Sequence, residues 1–239
     1  MSNSEKLSEI QKEQVHGGQG LTIDSEKQEN ELKKAVESIL KSLNEKFPFL
    51  EIKIESSINL KEIVEKLKQK FPEEEWIYTF ESSNIKPDGG ILFIKNFQED
   101  IFLPILISEA KKQGTNDKIK EITGKTQACG NAIERLGKNV IGLRTWLKDE
   151  KIFPFVCFGY GWDFNSKSTI LDRVVTIAEY GELNKIYLMD TEHTKRGCFY
   201  FKEEKWSIEE MKKVLLNISQ RAIFYYFSKY GEDSFRKEK

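Results

Sequence analysis

The chain has 239 residues and a mass of 27.9 kDa, which suits one core of ordinary size, so a single domain is the starting expectation. Charged residues make up 32% and hydrophobic residues 38%, yet 16 Phe, 8 Tyr and 4 Trp supply the bulk of a packed interior and exclude a wholly disordered chain. With 38 Lys+Arg against 39 Asp+Glu the net charge is −1; no global basic field marks a nucleic-acid partner, and any DNA contact must come from local clustering.

Residues 1–30 alternate charge with Gln, carry Gly17, Gly18 and Gly20, and show no apolar period, so a flexible N-terminal arm is expected there. From Glu31 the residues Leu32, Ala35, Val36, Ile39, Leu40, Leu43 and Phe47 recur at helical spacing until Pro48. Leu50 to Ile54 alternates like a short strand. Asn59 then opens a second helix through Leu60, Ile63, Val64, Leu67 and Phe71, ending before Pro72. Trp76 to Phe80 has strand content, and Ser82 to Gly90 is a dense turn. Ile91 to Lys95 and the nearly all-apolar Ile101 to Ala110 form a hairpin, the second strand suited to the centre of a sheet. Lys112 to Gln127 is a polar connection. A helix follows near Gly130-Asn131, with Ile133, Leu136, Val140, Leu143 and Leu147 on one face and Asn131, Arg135, Lys138 and Gly142 on another.

Phe153 to Phe158 reads as a buried strand broken by Gly159-Tyr160-Gly161-Trp162, Thr169 to Tyr180 as a helix, and Lys185 to Met189 and Cys198 to Phe201 as strands. Ser207 with Glu210 is a capping box for a last helix, and the charged tail from Ser228 is expected to fray. This order implies an α/β fold: one domain over 31–239, with a central mixed sheet of five-stranded type flanked by helices. The cysteines Cys129, Cys157 and Cys198 are odd in number and widely spaced, which fits a reducing cytoplasm rather than a disulfide framework or a zinc site. The N-terminus is polar and no apolar run approaches the roughly 20 residues that span a bilayer, so neither a standard export signal nor a membrane partner is expected.

The chemistry concentrates in two stretches 21 residues apart, the turn Lys86-Pro87-Asp88-Gly89-Gly90 and the strand end Glu109-Ala110-Lys111. Strand side chains alternate, so Glu109 and Lys111 share a face while Ala110 points the other way and leaves its backbone carbonyl available. Hydrolysis of a phosphodiester needs activated water, neutralised charge and a stabilised leaving oxygen, all of which Mg2+ can supply. Magnesium keeps several waters and takes few protein ligands, so Asp88, Glu109 and the Ala110 carbonyl suffice, with Lys111 beside the attacking water.

Three motifs, Ser83-Asn84-Ile85-Lys86-Pro87-Asp88-Gly89-Gly90-Ile91, Ser108-Glu109-Ala110-Lys111-Lys112-Gln113-Gly114 and Gly130-Asn131-Ala132-Ile133-Glu134-Arg135, resemble the EcoRI family of type II restriction endonucleases, within the PD-(D/E)xK nucleases. They stand in the family's order at nearly its spacing, and a fainter likeness covers most of the chain, including Ile170 to Arg173 and Tyr180-Gly181. The resemblance implies a homodimer that cuts double-stranded DNA at a short palindrome with Mg2+, using Asp88, Glu109 and Lys111 with Lys86 in support, and a cognate DNA methyltransferase in the same system. It also implies that the helix beginning at Gly130 and Asn131 points into the major groove of a site with an AATT core. Asn131 can pair an adenine edge, Ala132 a thymine methyl, and Arg135 a major-groove acceptor, with Glu134 positioning Arg135 across the dimer.

The chain departs from the family pattern at Gln127, where a methionine stands, and at Thr176, where the second of two arginines three apart stands while Arg173 keeps the first; the segment from Lys112 to Gln127 is also shorter. Gln127, Ala128 and Arg173 are the positions to connect with the outer base pair, so that pair is expected to be different or degenerate. Two other classes stay open on the residues: a repair or recombination nuclease with little sequence preference, and a DNA-binding module or structural domain without catalysis. Defined restriction fragments would argue against the first, and the intact acidic pair with its lysine argues against the second. His16 and His193 show no metal spacing and are assigned no role. Trp146, Trp162, Trp206 and the run Phe224 to Phe227 read as core or interface aromatics.

Overall fold

A computed structural model describes residues 19–76, 83–112, 131–161, 182–183, 197–202 and 204–237. In chain order these form α1 (Gln19–Lys46), β1 (Ile52–Glu55), β2 (Ile58–Asn59), α2 (Leu60–Lys70), β3 (Asn84–Ile85), β4 (Gly90–Asn96), β5 (Ile101–Lys112) and α3 (Asn131–Trp146). They continue with β6 (Phe155–Tyr160), β7 (Glu182–Leu183), β8 (Cys198–Lys202), α4 (Ile208–Tyr230) and a 3-10 turn at Glu232–Phe235.

The main sheet has the order β1-β4-β5-β6-β8-β7. The pairs β1/β4 and β4/β5 are antiparallel, and β5/β6, β6/β8 and β8/β7 are parallel, so the sheet is mixed. Five strands of four residues or more, plus the two-residue edge strand β7, match the expected architecture. A separate ribbon joins β2 to β3. The α1 stripe Leu32, Ala35, Val36, Ile39 and Leu43 covers one face together with Met211, Leu215, Ile218, Ala222 and Tyr226 of α4. On the other face α3 buries Leu136, Val140 and Leu143 against Ile91, Phe93, Ile107 and Cys157, with Ile63 of α2 in the same cluster. With helices on both faces, β5 is buried from Leu103 to Ala110, which accounts for its continuous apolar run.

Which β5 residues face which layer depends on one irregularity. The register with β4 slips between Leu92, opposite Leu106, and Phe93, opposite Pro104, a residue with no N–H to give to the ladder. Beyond that slip Ile107 lies in the α3 cluster and Ala110 in the α1/α4 cluster. By strand alternation Glu109 and Lys111 therefore share the α3 face with Ile107.

Three boundaries differ from expectation. α1 starts at Gln19, so 19–30 of the expected arm are helical; residues 1–18 lie outside the described residues. Gln28 anchors this extension: its Nε2 donates to the Trp206 carbonyl at 3.0 Å, and its Oε1 accepts from the Trp206 N–H at 3.2 Å. The amide thus satisfies one backbone donor and one acceptor, and a polar residue becomes part of the interior. β6 does not break at Gly159-Tyr160, because both residues pair with β5 and β8; it ends at Gly161, whose φ is +121°. The C-terminal tail is anchored: Phe235 is fully buried beside Phe227 at 5.3 Å, and the Phe97 N–H donates to the Ser234 carbonyl at 2.8 Å.

Caps follow the sequence, and so do the described aromatics except Phe224, which is exposed where burial with Tyr225 to Phe227 is expected. The Asn59 side chain accepts from the Lys61 N–H, and Ser207 and Glu210 form the reciprocal capping box of α4. Trp146 and Tyr226 are buried, Trp206 packs on the core, and Phe224 is 52% exposed. The expected strands at 77–80 and 185–189, the helix at 169–180, and Trp162, Cys129, His16 and His193 lie outside the described residues. Among the described residues no helix is long and apolar enough to cross a membrane.

Candidate active site

Asp88 sits on a turn closed by the Gly90 N–H donating to the Pro87 carbonyl at 2.9 Å and tied to β5 by the Gly89 N–H donating to the Ser108 carbonyl at 2.9 Å. Both glycines are required by space. A Cβ at Gly89 would lie 2.2 Å from Ser108 Oγ and 2.9 Å from Leu32 Cγ, and one at Gly90, whose φ is +78°, would lie 2.9 Å from the Glu55 carbonyl oxygen. The turn therefore lies directly against β5 and α1, with Pro87 buried, Asp88 half-buried and Lys86 exposed.

The turn and the strand end exchange hydrogen bonds. The Asp88 N–H donates to Glu109 Oε2 at 3.1 Å, and the Ala110 N–H donates to Asp88 Oδ2 at 3.1 Å. Lys111 Nζ lies 2.9 Å from Asp88 Oδ2 and 2.5 Å from Glu109 Oε1, so one ammonium bridges the two carboxylates. A further amide arrives from α3: Asn139 Nδ2 donates to Glu109 Oε1 at 3.4 Å. The residues singled out as Asp88, Glu109 and Lys111 thus meet on the α3 face of the sheet, while Ala110 turns its methyl group into the opposite cluster.

Glu109 is 1% exposed, and this burial is the main reason its carboxyl is held above the usual carboxylate range; the Asp88 charge adds to the rise and Lys111 opposes it. For Lys111 burial disfavours the charge, but Glu109 and Asp88 outweigh it and hold the ammonium above the ordinary lysine range. Lys111 is accordingly a cation at neutral pH, suited to donating hydrogen bonds and stabilising negative charge rather than to abstracting a proton. Cys157, opposite Glu109 in the ladder, is a buried thiol pushed well up by desolvation and stays neutral. Neither of the two described cysteines, Cys157 and Cys198, forms a disulfide.

Two hard carboxylates drawn together over a single positive charge are a donor set that suits a divalent cation such as Mg2+, which takes oxygen ligands and retains water. Among the described residues no group of three or more His, Cys, Asp or Glu side chains gathers around an ion position. Asp88 and Glu109 are the residues that could hold such an ion.

Of the expected recognition residues, Arg135 is described in full and is exposed on α3. Asn131, Ala132 and Glu134 form the first turn of α3, and their side chains lie outside the described residues, as do Gly130, Gln127, Ala128 and Arg173 entirely. Two residues near the site escaped the sequence reading. Glu29 of α1 is half-buried, and its carboxyl is raised first by burial and then by the Asp88 charge, with Lys111 opposing. It lies one turn before Leu32, which packs on Gly89, but it falls in the stretch assigned to the arm. Asn139 stands four residues beyond Arg135, a spacing that placed it on the same helix face.

The family model described as Restriction endonuclease EcoRI matches residues 16–186. The chain is 31% identical over 251 residues to the type II restriction enzyme RsrI of Cereibacter sphaeroides, covering 88% of this chain and 90% of that protein. It is 34% identical over 161 residues to the type II restriction enzyme EcoRI of Escherichia coli, covering 62% of this chain and 58% of that protein. The matched span carries both the Asp88 turn and the β5 strand end, and the chain belongs to the EcoRI family of type II restriction endonucleases, enzymes that bind double-stranded DNA and cleave it site-specifically.

Proposed function

We propose that this enzyme is a homodimer that uses Mg2+ to hydrolyse one phosphodiester in each strand of a short DNA palindrome with an AATT core. The observation that carries this reading is the reciprocal clamp between Asp88 and Glu109 with Lys111 bridging them. Asp88, Glu109 and the Ala110 backbone carbonyl would hold the ion. When bound, the ion supplies neutralisation of phosphate charge and an acidified water. Lys111 would offer its ammonium to the attacking water and to the negative charge developing on phosphorus. The Asp88 N–H donates to Glu109 and the Ala110 N–H donates to Asp88, so the turn and the strand end draw the two carboxylates towards one point. Lys86, exposed at the start of the turn, supports the approach of the DNA backbone.

Sequence is read by the N-terminal end of α3. Asn131 pairs an adenine edge, Ala132 meets a thymine methyl, Gly130 lets the backbone come close, and Arg135, aligned by Glu134 of the partner subunit, reads a major-groove acceptor. Gln127, Ala128 and Arg173 govern the outer base pair, which is different from the family pattern or degenerate. Two-fold symmetry then delivers one active site to each strand. A methyltransferase of the same specificity protects the host DNA, and the enzyme acts in the cytoplasm, where its thiols remain reduced.

Incubating plasmid with the protein and Mg2+, beside Glu109→Ala, tests the cutting site: the wild type yields defined fragments and the variant none. Equal cleavage by both refutes the assignment. Sequencing the cut ends of a random DNA library tests the specificity, and ends lacking AATT overturn that part.

A further inference from the structure

The hydrogen bond from Asn139 to Glu109 links the two centres of the enzyme through side chains. Three elements hold the Glu109 carboxylate: the Asp88 N–H from the turn before β4, the Lys111 ammonium from β5, and the Asn139 amide from α3. The Asn139 amide nitrogen is the donor and Glu109 Oε1 the acceptor. Apolar contacts seat the C-terminal half of α3. Leu136, Val140 and Leu143 are buried, Trp146 meets Phe93 edge-on at 5.9 Å, and Gly142 lies so close to Ile85 that a Cβ there would come within 2.6 Å of Ile85 Cδ1. Ile85 is three residues before Asp88, so α3 is seated on the same segment that carries the turn. In the other direction, Asn139, Arg135 and Asn131 follow each other at intervals of four along the helix, about 6 Å per step. One rigid helix thus runs from the residues assigned to base recognition to the amide on the metal carboxylate.

We propose that Asn139 is a positioning residue that couples DNA recognition to metal binding by holding Glu109 in its ligating rotamer only while α3 is fully seated. This rests on the reading of Asp88 and Glu109 as metal ligands and of α3 as the recognition helix. A correct duplex presses α3 into its seat and leaves the amide on Glu109. A duplex with a wrong base pair displaces the helix, the 3.4 Å bond is lost, and Glu109 keeps only the Asp88 N–H and Lys111, so its carboxylate is less firmly held for an ion. The bond is long for an amide donor, so a small movement of the helix is enough to break or tighten it.

The test is calorimetric titration of Ca2+, which the same hard oxygen donors bind, into the protein on two duplexes: the sequence found by cut-end sequencing and one differing by a single base pair. For the wild type the correct duplex gives the tighter Ca2+ site. In Asn139→Ala the half-saturating Ca2+ on the correct duplex rises about 10–100-fold, the range for losing a partner of a metal ligand, and the difference between duplexes shrinks towards none. Affinity for the correct duplex in EDTA stays within about threefold, because no base or phosphate contact is removed. Asn139→Leu, which keeps the volume without the donor, gives the same pattern if the alanine variant folds poorly.

Unchanged Ca2+ binding in both variants, with Glu109→Ala losing it, overturns the proposal and leaves the functional reading intact. A loss of duplex affinity in EDTA with unchanged Ca2+ binding also overturns it, making Asn139 a DNA contact. No Ca2+ binding and no Mg2+-dependent cleavage by the wild type removes the functional reading itself, and this coupling with it.

Discussion

The Asp88 backbone N–H donates to Glu109 Oε2 at 3.1 Å, while the Asp88 carboxylate accepts from the N–H of the residue that follows Glu109. Each acid is thus positioned by the main chain of the other's segment. β4 pairs with β5 only as far as Gly90 opposite Ser108, and beyond that point the Asp88 carboxylate takes over the ladder by accepting from Ala110. The geometry of the pair is therefore set by the approach of the turn to β5, and that approach depends on Gly89.

Gly89→Ala tests this dependence. The added Cβ meets Ser108 Oγ at 2.2 Å and Leu32 Cγ at 2.9 Å, so the turn moves away from β5 or the neighbours give way. Overpacking of this kind costs about 1–3 kcal/mol. Denaturant unfolding should register that loss, and cleavage should fall more steeply than stability because the Asp88–Glu109 exchange is broken. Ser108→Ala alone is expected to be near neutral, since the Ser108 hydroxyl is buried without a partner among the described residues. Combined with Gly89→Ala it should recover part of the loss. Strict additivity of the two substitutions would show that Ser108 does not press on the turn.

Lys111 holds two carboxylates together with one charge, and removing it leaves them opposed. Lys111→Met should destabilise the metal-free protein by about 3 kcal/mol, the low end for breaking a buried pair, because Glu109 can relieve part of the repulsion by taking a proton. Added Mg2+ then replaces the missing charge. The rise in melting temperature on adding Mg2+ should accordingly be larger for the variant than for the wild type, with no cleavage at either. Scanning calorimetry with and without EDTA measures both shifts; a smaller metal-induced rise in the variant contradicts the assignment of the two carboxylates as ligands.

The raised Glu109 carboxyl predicts a pH dependence of stability. Burial favours its protonated form, so between the ordinary glutamate value and the raised folded one the native state binds more protons than the unfolded chain. Stability therefore falls as pH rises through that window, and the full cost of ionising Glu109 is present above it. Glu109→Gln removes this cost. In EDTA the variant should match or exceed the wild type in stability at pH 8, with the difference shrinking as pH falls towards the ordinary glutamate range. A variant that is less stable at pH 8 would mean that the bonds from Lys111, Asp88 and Asn139 outweigh the desolvation of Glu109.

The parts of this molecule that were legible in the sequence are those fixed by local chemistry. Alternation along β5 put Glu109 and Lys111 on one face, the turn residues placed Asp88 on a tight bend, and the three-and-four spacing of α3 gave its buried stripe. Residues whose role depends on a distant partner were hidden. Gln28 reads as a solvated arm residue until Trp206, 178 positions away, supplies a matching N–H and carbonyl. Asn139 reads as one more polar residue on α3 until β5 brings Glu109 beneath it, 30 positions back along the chain. Periodicity reports which face of an element is buried; it does not report which polar group meets it there.

The C-terminal tail carries the last prediction, because its charged sequence concealed a structural lock. α4 ends where Gly231, at φ +82°, turns the chain, and the Gly231 N–H donates to the Phe227 carbonyl at 2.9 Å. The 3-10 turn that follows carries Phe235 back onto Phe227 and Tyr230, fully buried, while Ser234 Oγ donates to the Tyr230 carbonyl at 2.6 Å. The Phe97 N–H, in the turn joining β4 to β5, donates to the Ser234 carbonyl at 2.8 Å. The tail therefore ties α4 to the hairpin whose second strand ends in Glu109 and Lys111. Phe235→Ala should cost about 3–5 kcal/mol, as for a large aromatic removed from a closed core, and should lower the melting temperature without changing the cleavage specificity. Chain truncation after Gly231 should cost at least as much, since it also removes the bond to Phe97. A truncated protein that melts with the full-length chain would mean that the tail adds nothing to the fold.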